Sequence, residues 1–198
     1  MSNTDITLKY YNENAEKFVA GTVDAKMTDL QEEFLSFVPE GGTILDLGCG
    51  SGRDSKVFLD KGYKVIAVDG SIKLCKIAEK LTGRSIICST FQDYKPDEAL
   101  DGIWASASLL HLNNEDLHKV VKRLSKNLNK NGCFYMSFKY GDDSLIRNER
   151  YFTDQTEETL GKVLCDIDDI TLIKFKITSD VRPGRSNEKW LNAFYVKK

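Results

Sequence analysis

An apolar run leads directly into three alternate glycines in the segment Ile44-Leu45-Asp46-Leu47-Gly48-Cys49-Gly50-Ser51-Gly52-Arg53. The run predicts a buried β-strand over residues 43–47, and the glycines allow a tight turn and a close approach of backbone to a ligand. A helical pattern continues to residue 61, so the turn would offer the amides of a helix N-terminus. This segment therefore predicts a ligand site built on a strand, a glycine turn and a helix.

Strand patterns alternate with helical patterns along most of the remaining chain. Further strands are predicted over residues 64–68, 85–88, 103–107, 133–140, 171–178 and 190–196. Helices are predicted over residues 5–20, 24–38, 71–81, 114–129 and 156–166. The alternation predicts an α/β fold with a mostly parallel sheet and helices on both faces. We expect one domain over residues 1–198, with a helical cap or lid over 1–40 and the core over 41–198.

Composition narrows the class of protein. The 28 basic and 30 acidic residues give a net charge of -2. The protein therefore has no overall positive potential that would attract a nucleic-acid backbone, and nucleic-acid binding is disfavoured. The sequence has no apolar run long enough for a membrane span and no apolar signal-peptide core near its start. Its five cysteines are widely spread without a C-x-x-C pair, which argues against disulfides and zinc. We expect a cytoplasmic protein, monomeric or homodimeric, with no bound metal and no membrane contact.

An acidic residue, Asp69, follows the second predicted strand, where its carboxylate could accept hydrogen bonds from the hydroxyls of a ribose. Glycines after a strand can also form a simple turn, and an Asp can simply cap a helix. The spacing is not that of a dinucleotide-binding fingerprint, since the third glycine of that motif would fall on Arg53. No Gly-Lys-Ser/Thr follows either, so a dehydrogenase and a P-loop ATPase are both disfavoured.

The glycine segment, from Asp46 to Gly52, resembles the first motif of the class I S-adenosylmethionine-dependent methyltransferases, and Asp69 matches their ribose-binding acid. Thr90-Phe91-Gln92-Asp93 is similar to their adenine loop, although many relatives carry Asp at the position of Thr90. The segments 104–112 and 131–134 resemble the fourth strand with its following stretch and the start of the fifth. The resemblance covers roughly residues 40–198. It looks closest to small stand-alone bacterial enzymes of methyltransferase type 11/12 or of the tellurite-resistance type.

The resemblance implies a Rossmann-like sheet of seven strands whose last strand, residues 190–196, is antiparallel. It also implies S-adenosylmethionine as cofactor and S-adenosylhomocysteine as product. The residues then expected at the cofactor are Tyr11, Asp46, Gly48, Gly50, Gly52, Arg53, Asp69, Gly70, Thr90, Phe91, Gln92 and Ser106. In this scheme the three glycines lie against the methionine part, Phe91 and Gln92 frame adenine, and backbone near Ser106 faces the sulfonium.

Other candidate residues carry open alternatives. His111 follows the fourth predicted strand and could deprotonate a hydroxyl acceptor, or could equally brace its loop. Tyr10 and Tyr11 would fold over the ligands if the first helix is a lid, or would pack in the core. Arg53 is expected either to pair with the carboxylate of the cofactor or to be solvated.

The last loop of the predicted core contains Arg182-Pro183-Gly184-Arg185. With Lys139 nearby, these two arginines are expected to hold an anionic acceptor, unless the segment is a solvated hairpin. The leading hypothesis is a methyltransferase that acts on a small molecule. The alternatives are an RNA or protein methyltransferase and a non-catalytic protein that binds the cofactor.

Overall fold

A computed structural model describes residues 2–198 as a large sheet, a separate hairpin and the helices that cover them. The strands are β1 Thr43–Leu47, β2 Lys64–Asp69, β3 Ile87–Cys88, β4 Leu100–Ala105, β5 Leu128–Lys139, β6 Ser144–Arg147, β7 Arg150–Thr153, β8 Ile170–Ser179 and β9 Lys189–Lys197. The helices are α1 Asn3–Ala20, α2 Thr28–Leu35, α3 Arg53–Asp60, α4 Ile72–Thr82, α5 Asn114–Leu124 and α6 Glu157–Leu164. Short 3₁₀ turns follow at Leu109–His111 and Ser125–Asn127.

The large sheet has the predicted seven strands, in the order β3-β2-β1-β4-β5-β9-β8. Strands β1 to β5 pair in parallel, and β9 runs antiparallel to both β5 and β8. The Rossmann-like fold and the antiparallel last strand are therefore confirmed. In this arrangement the carboxyl ends of β1, β2, β4 and β5 share one edge of the sheet, which is where ligands bind in folds of this type.

The sheet is packed on two sides by different helices. On one side, α5 and α6 bury leucines and valines such as Leu117, Val121 and Leu160 against the central strands. On the other side, the aromatic rings of Phe34 (α2) and Phe58 (α3) pack with those of β4 and β5. These apolar clusters hold the strand ends, and the loops that follow them, at fixed positions.

A buried carboxylate, Asp54 at the start of α3, joins the elements around the glycine turn. It accepts hydrogen bonds from the Gln31 side chain of α2 and from the Trp104 indole of β4, both at 2.8 Å, and its guanidinium partner is Arg53. Buried charge is costly unless it is paired and hydrogen-bonded. The network therefore fixes α2, α3 and β4 relative to one another.

Several segments differ from the sequence predictions. No strand is predicted between residues 140 and 156, but the structure has the antiparallel β6–β7 hairpin there, whose turn places Asn148 and Glu149 at φ of 48° and 59°. Strand β5 begins at Leu128 rather than at residue 133, because Asn131-Gly132 continues the strand with Asn131 at φ 66° and a register shift against β4. The predicted helix over 24–38 is shorter, since residues 21–27 turn or extend after Gly21 closes α1.

Helix α1 lies across the carboxyl ends of the strands. The side chain of Asn12 accepts hydrogen bonds from the Ser71 hydroxyl at 2.8 Å and the Lys73 amide at 3.3 Å, at the start of α4. On the opposite side, the Tyr151 amide of the hairpin donates to the Thr7 hydroxyl at 3.1 Å. Among the described residues 2–198, no helix has the length and apolarity needed to cross a membrane.

Candidate functional site

A cavity of about 610 Å³ lies between the carboxyl edge of the sheet, helix α1 and the β6–β7 hairpin. Its floor includes the glycine turn after β1, Asp69 at the end of β2 and Ser106 after β4. Its walls include Tyr11 of α1 and Arg150 of β7. The size and the mixture of apolar and polar walls are those of a small-molecule site, for which roughly 300–1,000 Å³ is usual.

The glycine turn is held against β2 by backbone hydrogen bonds. The amides of Gly48 and Cys49 both donate to the Val68 carbonyl, at 2.8 and 3.0 Å. Gly48 has φ +82°, and a Cβ there would lie 2.4 Å from Ser108 Cβ and 3.1 Å from Phe91 Cζ. Since real Cβ atoms do not approach so closely, only glycine fits at this position, and the turn leaves its backbone facing the cavity.

Asp69 presents a buried carboxylate to the same turn. Its Oδ2 accepts from the Gly50 amide at 2.9 Å, and its Oδ1 accepts from the Ser71 amide at 2.8 Å. Burial raises the pKa of Asp69 to about 6, although these two amides act in the opposite direction. A carboxylate has about four acceptor positions, so each oxygen keeps capacity for one further donor such as a ligand hydroxyl.

The loop after β3 contributes Thr90, Phe91 and Gln92 to the cavity wall. The Thr90 hydroxyl is already engaged with Asp93, at 2.7 Å from Oδ2. The Gln92 side chain donates to the Thr4 hydroxyl at 3.2 Å, but its Oε1 is buried without a hydrogen-bond partner. Because a buried unpaired acceptor is unfavourable, Gln92 Oε1 is the atom of this loop that a bound donor group would satisfy.

His111 lies at the centre of a hydrogen-bonded chain that joins three segments. Its Nδ1 is 2.6 Å from the Tyr151 carbonyl oxygen, and its Nε2 is 2.9 Å from the Tyr11 hydroxyl. A carbonyl can only accept, so Nδ1 carries the proton and the Tyr11 hydroxyl donates to the bare Nε2. Burial lowers the pKa of His111 to about 4, so the ring is neutral at pH 7. The imidazole thus ties α1 to β7 through Tyr11 and Tyr151.

Comparisons with known proteins agree on a methyltransferase domain and a methyltransferase fold. Residues 44–132 match the family model for a methyltransferase domain. An uncharacterised methyltransferase of Geobacillus kaustophilus is 26% identical over 160 residues, which cover 79% of this chain and 72% of that protein. The solved 1,6-didemethyltoxoflavin-N1-methyltransferase of Burkholderia thailandensis, with bound S-adenosylhomocysteine, has a TM-score of 0.76 at 19% identity and covers 99% of this chain and 87% of that chain.

The chain thus carries a methyltransferase domain and has the fold of S-adenosylmethionine-dependent methyltransferases. Phosphoethanolamine N-methyltransferase 3 of Arabidopsis thaliana is also similar, at 27% identity over 150 residues and 66% of this chain. This methyltransferase spans only 30% of the length of that plant enzyme. The likeness therefore concerns the shared domain and not the whole plant protein.

Three of the predicted site residues do not line the cavity of this methyltransferase. Asp46 lies under the glycine turn and accepts from the Ser55 hydroxyl at 2.5 Å, while burial and the nearby Asp54 raise its pKa. Gly52 faces α4, where a Cβ would lie 3.0 Å from the Cβ of Ala78. Tyr10 packs edge-on against Tyr11 and supports it from behind. These three residues therefore lie outside the lining of the cavity, and their contacts with ligands stay predictions.

The cations predicted to bind anionic ligands line the cavity but already have carboxylate partners. Arg53 pairs with Asp54 and also donates to the Thr22 carbonyl at 3.1 Å. Arg182 donates through Nε to Asp180 Oδ1 at 2.9 Å. The remaining two, Lys139 and Arg185, both pair with Glu188. Their charge is therefore largely neutralised within the protein.

The sequence prediction missed Arg150, which lines the cavity from the hairpin. Its guanidinium carbon lies 4.4 Å from the Tyr10 ring centroid, 5.1 Å from that of Phe152 and 5.7 Å from that of Tyr11. Its Nε is buried and has no hydrogen-bond partner. No local pattern marks this residue, because its aromatic neighbours in α1 are distant along the chain.

Proposed function

We propose that this methyltransferase uses S-adenosylmethionine to methylate a small-molecule acceptor in the cytoplasm. The observation that supports this most directly is the set of unused hydrogen-bonding positions around one cavity, on Asp69 and Gln92, beside a turn that admits only glycine. The Burkholderia protein of similar fold was solved with bound 1,6-didemethyltoxoflavin and S-adenosylhomocysteine.

The cofactor fits the residues that are present. Asp69 would accept the ribose hydroxyls, Gln92 Oε1 would accept from the adenine amino group, and the backbone of Gly48 and Gly50 would lie against the methionine part. Gly70, Arg53 and Ser106 also line the cavity and would complete this side. When bound, the cofactor supplies a methyl group on a positively charged sulfur, already activated for displacement.

The remaining work of the protein is to position the acceptor and exclude water. Tyr11 and His111 serve this purpose, because their hydrogen bond closes α1 over the cavity and fixes it to the hairpin. We propose His111 as a positioning residue rather than a general base, since its unprotonated nitrogen, Nε2, already accepts a hydrogen bond from the Tyr11 hydroxyl. An acceptor that is already a good nucleophile would need no base.

A small acceptor is favoured over RNA or protein by the cover of the site. Helix α1 and the hairpin both lie over the strand ends, and the hydrogen bond between Thr7 and Tyr151 joins them. A macromolecular chain would have to displace this cover. The five cysteines are unpaired and three are buried, which suits a reducing compartment and supports the cytoplasmic location.

Calorimetry with S-adenosylhomocysteine tests the cofactor half of the proposal. Asp69→Asn should weaken binding by about 10-fold or more, because a charge-assisted hydrogen bond is worth about 1.5–3 kcal/mol. Asp166→Asn removes a carboxylate on the exposed surface, away from the cavity, and serves as the matched control. Tight binding of NAD, or no binding of S-adenosylhomocysteine, would refute the assignment.

An activity assay tests the part of the proposal that concerns methyl transfer to a small molecule. The wild-type protein is incubated with S-adenosylmethionine and a panel of small amines, thiols, phenols and carboxylates, and release of S-adenosylhomocysteine is measured. An acceptor-dependent release is expected. Binding of the cofactor with no release across the panel, but release with RNA or protein, would contradict a small acceptor.

A further inference from the structure

The cavity contains one partly buried cation whose charge the protein leaves uncompensated. Five of the basic side chains that line it have carboxylate partners, namely Arg53, Lys139, Lys176, Arg182 and Arg185. Within residues 2–198, Arg150 has no ion pair, and the same holds for Lys26, which is exposed at the rim. Since cations removed from water are normally paired, Arg150 is the exception at which an anion from outside the chain would be favourable.

The packing of Arg150 leaves the hydrogen-bond donor at Nε without a partner in the described residues. The rings of Tyr10, Phe152 and Tyr11 surround its guanidinium carbon at 4.4–5.7 Å, so aromatic contacts hold the group in place. The N–H donors of a guanidinium lie in its plane and point outward. The buried Nε has no acceptor. Such a fork is preorganised for the two oxygens of a carboxylate or phosphate.

The surroundings also define where an anion would sit. Arg150 belongs to β7, next to Tyr151, whose carbonyl accepts from His111, and its guanidinium lies beside Tyr11. An anion at Arg150 would therefore lie beside α1, on the hairpin side of the cavity. A cationic group would be repelled from the same position.

We propose that Arg150 binds an anionic group, a carboxylate or a phosphate, of the methyl acceptor. This inference rests on the proposed function and replaces the clamp that the sequence predicted at Arg182 and Arg185. It identifies the acceptor as a small molecule that carries an acid group at one end and the methylated atom at another.

The test uses inorganic phosphate and acetate as probes on the full-length protein saturated with S-adenosylhomocysteine. Binding is followed by calorimetry and by the ¹⁵N–¹H signal of the Arg150 Nε, which is assigned from its loss in Arg150→Lys. At least one probe should bind the wild-type complex and shift this signal. Arg150→Gln should weaken that binding by about 10-fold or more, and Arg150→Lys should weaken it less.

Two measurements keep the outcome unambiguous. Lys26→Gln removes one positive charge at the rim without touching a buried donor, and it should change anion affinity by less than about 2-fold. All variants should retain S-adenosylhomocysteine affinity, which also shows that they are folded. Equal losses in Lys26→Gln and Arg150→Gln, or no binding of either anion by the wild type, would overturn the proposal. If Arg150→Gln loses S-adenosylhomocysteine instead, Arg150 belongs to the cofactor, and the anion site is wrong while the methyltransferase assignment stands.

Discussion

Lowering the pH should weaken the binding of S-adenosylhomocysteine, because Asp69 must be ionised to accept two ribose hydroxyls. Burial raises the pKa of this carboxyl to about 6 in the ligand-free protein. Protonation places a hydrogen on one of the oxygens and removes an acceptor position. It also disturbs an oxygen that accepts from Gly50 or Ser71. Affinity is therefore full above the pKa and is lost as the pH falls through it.

The size of the effect follows from the ionised fraction. A carboxyl with a pKa of about 6 is roughly 90% ionised at about pH 7 and roughly 10% ionised at about pH 5. If only the ionised form binds well, the apparent dissociation constant should rise by about 9-fold between these values, since it scales with the inverse of the competent fraction. The ligand keeps its own charges over this range.

Calorimetry at several pH values, with folding checked by circular dichroism, measures this dependence. Asp69→Asn should bind weakly at every pH and show a nearly flat profile. Asp46→Asn is the critical control, because burial and Asp54 raise the pKa of Asp46 as well, although it does not line the cavity. A flat wild-type profile, or a slope that vanishes in Asp46→Asn but persists in Asp69→Asn, would refute the assignment of the ribose acceptor.

Three further predictions concern the turn, the lid and the last loop. Gly48→Ala should lower the free energy of unfolding, measured by urea denaturation, by about 2–5 kcal/mol. Gly41→Ala should lower it by only about 1–2 kcal/mol, because Gly41 has φ +71° but open space around it. Equal losses would contradict a steric role for Gly48. Tyr11→Phe removes the hydrogen bond to His111 and should lower kcat more than S-adenosylhomocysteine affinity in steady-state and binding assays, whereas a loss of affinity alone would place Tyr11 at the cofactor. Arg182→Ala should lower the free energy of unfolding by about 1–3 kcal/mol, because Asp180 loses its hydrogen bonds from the Arg182 guanidinium. It should leave the KM of the acceptor unchanged. A raised KM at unchanged stability would instead support the predicted binding of an anionic acceptor by Arg182.

The main sheet was predictable because its signals are local. The apolar run before the glycines predicted β1 over the observed residues, and the pattern over residues 190–196 predicted the strand β9, whose antiparallel direction followed from the family resemblance. The β6–β7 hairpin escaped because each strand has only four residues and its turn, Asn148-Glu149, lacks the glycine that usually marks such turns. Strand β5 was shortened in the prediction because Asn131-Gly132 has turn composition, yet here it continues the ladder through an irregular register.

The candidate site likewise has positions that were predictable from the sequence and contacts that were not. Backbone-defined positions such as Gly48 and Asp69 follow from spacing along one βαβ unit, so the sequence places them at the cavity. Contacts between side chains that are distant along the chain cannot be predicted from spacing, and the hydrogen bond between Tyr11 and His111 is one example. The pairing of Arg182 did have a local signal, since Asp180 stands two positions before it. Nothing comparable marks Arg150.

The turn of the hairpin has a consequence for how the site opens. Asn148 and Glu149 both adopt positive φ, and this conformation costs an L-residue roughly 1–2 kcal/mol. Asn tolerates it better than most, but Glu has no such advantage. Opening of the hairpin releases this strain, whereas the turn beside Asp69 is built from glycines that carry none. Exchange of the acceptor is therefore expected to involve movement of the hairpin rather than of the glycine turn beside Asp69.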